Sequence, residues 1–503
     1  LMVLYCDAWA QQIDANVWYT QNLQRELLKI NNGNLHSDIY PLYISEIPSE
    51  LKDTLYKRNL DTNYIELMPY LDNWAGVSSQ KQTVYQYGLG ATASIHYKKW
   101  NSRATFFSQG GKYPAIVDSF YVKNNVFPSQ GIVFTKDTSG YVLQNFSGYV
   151  SYQAGKYFLL EAGHGKNFIG DGYRSVLLSD FTHNYSYFKI LTNVWHFKYL
   201  NLYGNLKNYH TNTGDYFQVP DKFFTIHYLS WKITRRWTGG FFESVVWGGQ
   251  DSLLNRKFDI NYLNPVIFYR PVEYSIGSSD NSLMGLNTSY KISNKCLVYG
   301  QFLIDEFLLS EIKRDVLHAL GKGDSIYGWV HNKYAAQIGM KVNDIFTEGL
   351  FFQAEYNIVR PFTYGHYSTA TNYGHFNQSL AHPWGANFKE IVFISRYLKK
   401  RWIIEAKAIF GRGGVSSPDF NAGENINNSY LNYSQYHGNV IGQGNAYVKN
   451  IQQITVNYRI ADGLVTFANV VNYQFNTKKY SSNNEWFFTI GVSSALFNRY
   501  WDF

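Results

Sequence analysis

The sequence predicts an all-β fold, a transmembrane antiparallel up-and-down β-barrel of about 16–18 strands with a short N-terminal helical segment. Three observations predict it. Apolar and polar residues alternate with a period of two along most of the chain. The connections between these segments alternate between short and long. Aromatic residues make up 18% of the 503 positions and charged residues only 16%, a balance that favours strands and membrane–water boundaries.

Composition argues against several other classes. Mean hydropathy is −0.31, and no run reaches the roughly 20 apolar residues of a spanning helix. A multispan helical membrane protein, collagen, a coiled coil and a disulfide scaffold are therefore set aside. The 45 basic and 37 acidic residues leave a net charge of +8, which favours acidic partners such as anionic polysaccharide or lipid headgroups. No Lys/Arg-rich block supports a nucleic-acid partner.

The first ten residues look like the end of a secretory signal peptide. An apolar stretch up to Cys6 precedes the Ala8-Trp9-Ala10 pattern of a cleavage site. We therefore expect residues 1–10 to be a signal-peptide remnant, after whose removal Cys296 has no disulfide partner in the chain. The alternatives are a buried first strand, or a lipoprotein attached through Cys6, which the bulky Tyr5 disfavours.

Residues 11–80 are expected to form a helical plug or a periplasmic cap. Leu23, Leu27 and Leu28 share one face of a helix predicted within 21–30. A second short helix is predicted after Pro48, with Ser49 as its N-cap. The barrel is expected to span residues 81–503, and a lumen of that size holds water unless something fills it. Residues 12–80 are the candidate filling.

Strands and their connections follow from the hydrophobic pattern. From Phe352 to Ile358, apolar residues alternate with Gln353, Glu355 and Asn357. The ranges 334–342, 402–410 and 454–460 alternate in the same way. Tight turns are predicted at 97–101, 234–237, 293–295, 343–344, 399–402 and 461–463. Long polar stretches cover 269–285, 360–388 and 411–444, the last without a strand pattern. This arrangement is typical of periplasmic turns and extracellular loops, and the aromatic end at Phe503 predicts a final barrel strand.

Motifs of enzymes are missing from the sequence, and we expect no catalysis, no metal and no cofactor. The glycine-rich run 163–172 has neither Gly-Lys-Ser/Thr nor GxGxxG spacing, so close backbone approach is the better interpretation than phosphate binding. His366, His375 and His382 match no metal-ligand spacing and are expected to be solvated or hydrogen-bonded. Neither an HExxH motif nor a GxSxG elbow occurs.

Basic pairs precede Trp100, Trp237 and Trp402 at three of the predicted turns. Lys and Arg there would meet lipid phosphates while the tryptophan anchors the wall at the interface. Aromatic and amide residues in the long loops would suit sugar binding.

Three long segments resemble a known family. The segments 161–180, 264–274 (continuing to 285–287) and 373–390 resemble the capsule-assembly Wzi-like outer-membrane barrels, in particular their RemB-like branch associated with gliding motility. The resemblance implies 18 strands and a short helical segment near the periplasmic mouth. It also implies either attachment of capsular polysaccharide at the cell surface or a role in gliding-related surface adhesion.

Six residues are candidate ligand-binding groups. Arg174, Arg270 and Glu273 are ionisable groups near membrane depth, where charges normally face the lumen in pairs. They predict a polar constriction or a docking site for glycan, or alternatively an internal salt-bridge network that braces the barrel or its plug. The other three candidates are His375, His382 and Trp384.

The predicted function is organisation of surface polysaccharide by a bacterial outer-membrane barrel with extracellular long loops. The alternatives are a porin for small solutes or sugars, and a scaffold subunit of a secretion or gliding complex. The expected partners are surface polysaccharide, possibly acidic, membrane lipid or lipopolysaccharide, and outer-membrane proteins.

Overall fold

The structure is a computed structural model, and the residues it describes are 27–28, 35–43, 46, 63–137, 140–209, 219–249, 257–265, 280–306, 308–322, 326–461, 464–478, 482–494 and 500–503. The second predicted helix after Ser49, the signal-peptide remnant 1–10 and most of the segment 11–62 lie outside these residues.

Twenty-three strands and two α-helices occur in the described residues. In chain order the strands are β1 (Ile39–Tyr40), β2 (Tyr64–Ser78), β3 (Thr83–Tyr97), β4 (Trp100–Lys112), β5 (Thr135–Asp137), β6 (Gly140–Ala154), β7 (Phe158–Gly165), β8 (Phe168–Ile169), β9 (Tyr185–Val194), β10 (Phe197–Lys207), β11 (Asp221–Lys232), β12 (Trp237–Gly248), β13 (Asn281–Ser293), β14 (Cys296–Glu306), β15 (Lys333–Asn343), β16 (Leu350–Val359), β17 (Gly374–His375), β18 (Gln378–Ser379), β19 (Phe388–Lys399), β20 (Trp402–Val415), β21 (Asn445–Ala461), β22 (Leu464–Thr477) and β23 (Asn483–Ser494). The helices are α1 (Ala115–Asn124) and α2 (Leu309–Ala319).

Within the described residues, 18 antiparallel strands close into a barrel. Each long strand pairs with its neighbours along the chain, and β2 pairs with β23 from Asp72↔Ser493 to Ser78↔Phe487 to close the wall. The predicted fold class, including the favoured count of 18, is confirmed. Closure leaves no free edge in the wall, which is the condition for a sheet to cross a bilayer.

The period-two pattern divides each strand between an outer and an inner face. On β16, Phe352 is 37% exposed, whereas Gln353 and Glu355 are 0% and 2% exposed. The outer face forms an apolar belt, the surface that lipid covers in barrels of this kind. Exposed members of this belt are Ile65, Leu67, Leu89, Phe106, Phe146, Leu286, Phe302, Ile338, Ile391, Ile454 and Ile490. No helix of the described part of the chain is long and apolar enough to span a bilayer.

The two mouths of the barrel differ in the length of their connections. One, the short-turn mouth, carries the tight turns between β3 and β4, β11 and β12, β13 and β14, β15 and β16, β19 and β20, and β21 and β22. The other, the long-loop mouth, carries the connections 113–139, 166–184, 307–332, 360–387 and 416–444. This asymmetry is as predicted, with two exceptions. β13 begins at Asn281, within the predicted polar stretch 269–285, and β20 continues to Val415, into the stretch 411–444 predicted to lack a strand. The glycines of this extension have no side chains and therefore give no alternating pattern. At Gly414 a side chain would meet the carbonyl oxygen of Gln443.

Tryptophans mark the rim of the short-turn mouth. Trp100, Trp237 and Trp402 are 43–50% exposed directly after their turns. Trp100 packs against Tyr152 at 4.6 Å between ring centroids, and Trp402 against Tyr458 at 4.9 Å. Their position supports the interpretation of these residues as interfacial anchors.

The predicted boundary between the N-terminal segment and the barrel is wrong. β2 begins at Tyr64, so the wall starts well before residue 81. Leu27 and Leu28 are helical and buried, within the helix predicted at 21–30. Residues 35–43 lie inside the barrel, where β1 pairs with β8. Tyr228 donates a hydrogen bond to Asp38 (2.6 Å), and Tyr43 donates one to Glu161 (2.7 Å).

The predicted final strand at the aromatic end is also wrong. β23 ends at Ser494, and Tyr500–Phe503 lie inside the barrel. Trp501 packs edge-on against Trp74 at 6.0 Å, and Phe503 against Phe120 at 4.8 Å. Trp501 and Phe503 therefore have apolar partners inside the barrel instead of lipid.

Two connections of the long-loop mouth, 166–184 and 360–387, lie in the lumen and fill part of it. Val176 and Leu177 of the first are fully buried. Tyr364 and Tyr373 of the second donate hydrogen bonds to their carbonyls, both at 2.9 Å. Of the filling predicted from the sequence at residues 12–80, residues 35–43 are a described part that lies inside the barrel. The barrel thus encloses a packed core.

Candidate ligand-binding site at the long-loop mouth

A cavity of about 340 Å³ opens at the long-loop mouth. It lies between helix α1, the connections 360–387 and 416–444, and the ends of β20–β23 at the long-loop mouth. Its volume is within the roughly 300–1,000 Å³ of small-molecule sites. Its aromatic lining residues are Phe120, Trp384, Tyr447, Tyr473, Phe475 and Phe503. Its amide and charged lining residues are Lys123, Asn124, Asn377, Gln378, Glu424, Asn425, Asn427, Lys449 and Asn483.

Trp384 is held in one orientation at the wall of this cavity. Its indole N–H donates to the backbone carbonyl of Asp502 (3.0 Å), and the Lys449 ammonium lies 4.3 Å from the ring centroid. Gly411 leaves room for the ring, because a Cβ there would come within 2.1 Å of Trp384 Cζ3. The site therefore presents a fixed aromatic surface, a property that lowers the entropic cost of binding.

Three charged side chains, Lys123, Lys449 and Glu424, line the cavity. Glu424 accepts two hydrogen bonds from Ser416, at 3.0 and 2.7 Å, so its carboxylate is already engaged by the protein. Lys123 is exposed at the end of α1. Lys449 donates to the carbonyl of Phe503 at 2.7 Å. Lys449 and Glu424 are therefore both engaged by the protein, and the exposed ammonium of Lys123 is the group that favours an anionic ligand.

Below the cavity lies a buried ionic network centred on Arg174. Its guanidinium contacts Glu390 Oε1 and Asp502 Oδ1, both at 3.1 Å, and Lys407 lies 2.6 Å from Asp502 Oδ2. Burial alone would raise the pKa of Asp502, but Arg174 and Lys407 hold it below the ordinary value. Arg174 therefore lies in an internal ionic network with its side chain only 2% exposed, as the salt-bridge interpretation predicts, and its bracing role stays a prediction.

The histidines predicted as candidates are enclosed by protein. His382 Nε2 lies 2.6 Å from Glu390 Oε2, and its Nδ1 accepts the backbone N–H of Trp384. Burial lowers the pKa of His382, against the opposing effect of Glu390. His375 Nδ1 accepts from Lys207 N at 3.0 Å, and burial holds its pKa well below the ordinary value. The hydrogen-bonded alternative predicted for these loop histidines is confirmed.

Of the six predicted residues, the structure places Trp384 on the cavity wall. Arg174, His375 and His382 lie beneath it, among protein partners. Arg270 and Glu273 lie outside the described residues, and their binding role stays a prediction. Sequence reasoning missed Lys449 and Tyr447, which lie on β21 opposite its lipid-facing residues. The available signal was the presence of polar residues such as Lys449 in the alternating pattern of β21 near its long-loop end.

The glycine-rich run makes close contacts inside the lumen. Gly170 has φ +134°, and a Cβ there would come within 2.2 Å of Gln301 Nε2. A Cβ at Gly172 would approach Glu355 Oε2 to 2.7 Å. These contacts confirm close backbone approach at these two positions. Among the described residues, no cluster of three or more His, Cys, Asp or Glu side chains is arranged to hold a metal ion.

The fold is that of transmembrane β-barrels, and comparisons with solved structures identify similar ones. The chain resembles Wzi of Escherichia coli, described as an outer-membrane protein involved in group 1 capsule assembly and a carbohydrate-binding β-barrel. The TM-score is 0.57 at 11% identity, over 95% of this chain and 98% of that one.

Pseudomonas aeruginosa OprD and OpdK align more loosely, with TM-scores of 0.43 and 0.45 at 11% and 8% identity. These alignments cover 86% and 85% of this chain, and 96% and 98% of the other. No protein-family profile and no curated protein sequence matches the chain. The similarity to Wzi confirms the Wzi-like fold predicted from the three segments.

Proposed function

We propose that this chain is a non-enzymatic outer-membrane barrel that holds an anionic surface polysaccharide in the cavity at its long-loop mouth. One observation carries the proposal: the cavity combines a fixed tryptophan face, a set of amides and two lysines. Aromatic faces stack on the C–H surfaces of sugars, amides pair with hydroxyls, and ammonium groups pair with sugar carboxylates. The long-loop mouth is then extracellular. The fold similarity to a carbohydrate-binding barrel supports the same conclusion.

The packed lumen disfavours the porin alternative. In an open barrel of 18 strands, inward polar groups line water. Here Gln353, Glu355 and Asn357 are buried and bonded to protein: Gln353 donates to Tyr299 at 2.8 Å, and Asn357 to Glu390 at 3.0 Å. A ligand at the long-loop mouth would therefore be retained at the surface instead of conducted.

The test is retention of defined polysaccharides by the full-length protein in detergent. The probes are polygalacturonate, which carries carboxylates, and dextran, which is neutral. We expect retention of polygalacturonate above dextran, weakened about tenfold by Trp384→Ala, which corresponds to about 1.4 kcal/mol. The double variant Lys123→Gln/Lys449→Gln should abolish the preference for the acidic probe.

Trp402→Ala is the matched control, because it removes a tryptophan from the opposite mouth. It should leave retention unchanged, and heat-modifiable migration in gels should show that every variant is folded. Equal retention by the Trp384 and Trp402 variants would overturn the proposal. Retention of neither probe, with stable co-purification of other outer-membrane proteins, would favour the scaffold alternative. The gliding-related adhesion implied by the RemB-like segments stays a prediction and would be compatible with glycan retention.

A further inference from the structure

Helix α2 presents an apolar face that no described residue covers. Leu309, Val316 and Leu320 are 76%, 52% and 64% exposed. Their spacing of seven and four residues places them on one side of the helix. None of the residues of α2 is buried. An exposed apolar stripe of this kind on a short helix is the pattern of a helix that lies in a membrane interface.

The opposite face of α2 is fixed to the rim of the barrel. Asp315 accepts hydrogen bonds from Arg360 at 2.8 Å, from Asn332 at 3.0 Å and from the backbone N–H of Gly328 at 2.6 Å. Glu311, one turn earlier, lies 3.7 Å from His437 of the connection 416–444. These contacts set the rotation of the helix, so its apolar face points away from the loops.

Along the chain, α2 lies between two wall strands that carry residues of the apolar belt. α2 begins three positions after the end of β14, and β15 follows its loop. On these two strands, Phe302 and Ile338 are exposed members of the belt. Lys313 and Lys322 are exposed beside the apolar stripe, where they would meet lipid phosphates. We propose that α2 lies in the headgroup–acyl boundary of the leaflet at the long-loop mouth, with Leu309, Val316 and Leu320 among lipid acyl chains.

The proposal rests on the membrane location of the barrel and is independent of glycan binding. The test uses the full chain with Cys6 and Cys296 replaced by serine, reconstituted in phosphatidylcholine vesicles with and without lipid A. Nitroxide labels are placed singly by Leu309→Cys and Val316→Cys. Ile338→Cys in the belt is the lipid-exposed control, and Asp419→Cys in the connection 416–444 is the water-exposed control.

Collision of each label with oxygen, which partitions into lipid, is compared with collision with a water-soluble nickel chelate. We expect an oxygen-to-nickel ratio at Leu309 and Val316 several-fold above that at Asp419 and approaching that at Ile338. Ratios equal to Asp419, with Ile338 still lipid-exposed, would overturn the proposal for α2 alone. A water-like ratio at Ile338 would instead overturn the membrane location on which both proposals depend. A ratio that rises further with lipid A would assign the phosphate contacts of Lys313 and Lys322 to that lipid.

Discussion

Arg174 and Asp502 are 328 positions apart and form two contacts inside the barrel. Arg174 Nη1 lies 3.1 Å from Asp502 Oδ1, and Nη2 donates to the Asp502 carbonyl at 2.8 Å. The same carbonyl accepts the indole N–H of Trp384. The guanidinium of Arg174 thereby links the segment 166–184 to the last described residues and, through them, to the wall of the candidate binding cavity.

Replacing Arg174 by methionine should destabilise the protein strongly. The change leaves Asp502 and Glu390 buried without their shared cation, and loss of one partner of a buried pair costs about 3–5 kcal/mol. Urea unfolding of the vesicle-reconstituted protein, followed by tryptophan fluorescence, would measure it. Lys136→Gln is the control: its contact with Asp118 is 3.8 Å long and largely exposed, and such pairs contribute about 1 kcal/mol or less. Similar midpoints for both variants would contradict the assignment of Arg174 as a brace.

Gly411→Ala should weaken polysaccharide retention without unfolding the barrel. The added methyl group would come within 2.1 Å of Trp384 Cζ3 and displace the ring that forms the cavity wall. The polygalacturonate assay would detect the loss. Gly165→Ala is the matched control, because the nearest atom to its added carbon, on Tyr187, is 3.8 Å away. Unchanged retention in Gly411→Ala would show that the ring position is not needed.

The full-length protein should show no steady conductance in a planar bilayer, because the described lumen is packed. Deleting residues 11–46 should leave it closed as well, since the connections 166–184 and 360–387 occupy the lumen independently of that segment. Single-channel recording of both proteins, with insertion verified by gel migration, would decide. A steady open level in the intact protein would favour the porin function, and one seen after the deletion alone would make the N-terminal segment the main plug.

Stability should fall on acidification from pH 7 to 4.5, in part through His366. Burial and the charge of Lys333 lower the pKa of His366 from 6.5 to about 3. The unfolded chain therefore binds a proton that the folded chain does not, and this contribution to stability is lost as pH drops below about 6.5. His366→Gln should flatten the dependence of the urea midpoint on pH across this window. The carboxyl of Asp502 contributes little to the change in stability between pH 7 and 4.5, because its pKa in the unfolded chain is near 3.8. An unchanged slope would contradict the assignment.

Period-two alternation and the position of tight turns were enough to predict the wall of the barrel, because both signals are local. The filling of the lumen could not be predicted in the same way. Contacts such as Ser179 N to Leu380 O, at 2.8 Å, join distant connections and leave no periodic pattern. The aromatic residues Trp501 and Phe503 suit the end of a lipid-facing strand as well as a segment packed inside the barrel, and only tertiary packing separates the two.

In the candidate site, too, some residues could be predicted from the sequence and others could not. Trp384 was found through a segment resemblance, whereas Lys449 and Tyr447 reach the cavity from a wall strand whose sequence differs little from other strands. The spacing of Leu309, Val316 and Leu320 was a helical signal that the sequence offered, although no helix was predicted there.

The packed core also has a mechanical consequence. A hollow cylinder flattens easily when pulled sideways, because its wall resists bending only through the sheet itself. In this barrel, side chains from opposite walls meet a close-packed interior of low compressibility. The connection 166–184 is bonded to distant parts of the wall, because Lys189 of β9 donates to Asn167 at 3.1 Å and Arg174 contacts Glu390 of β19 at 3.1 Å. A lateral load applied at the long-loop rim is therefore carried across the whole diameter, and the rim keeps its circular shape under tension.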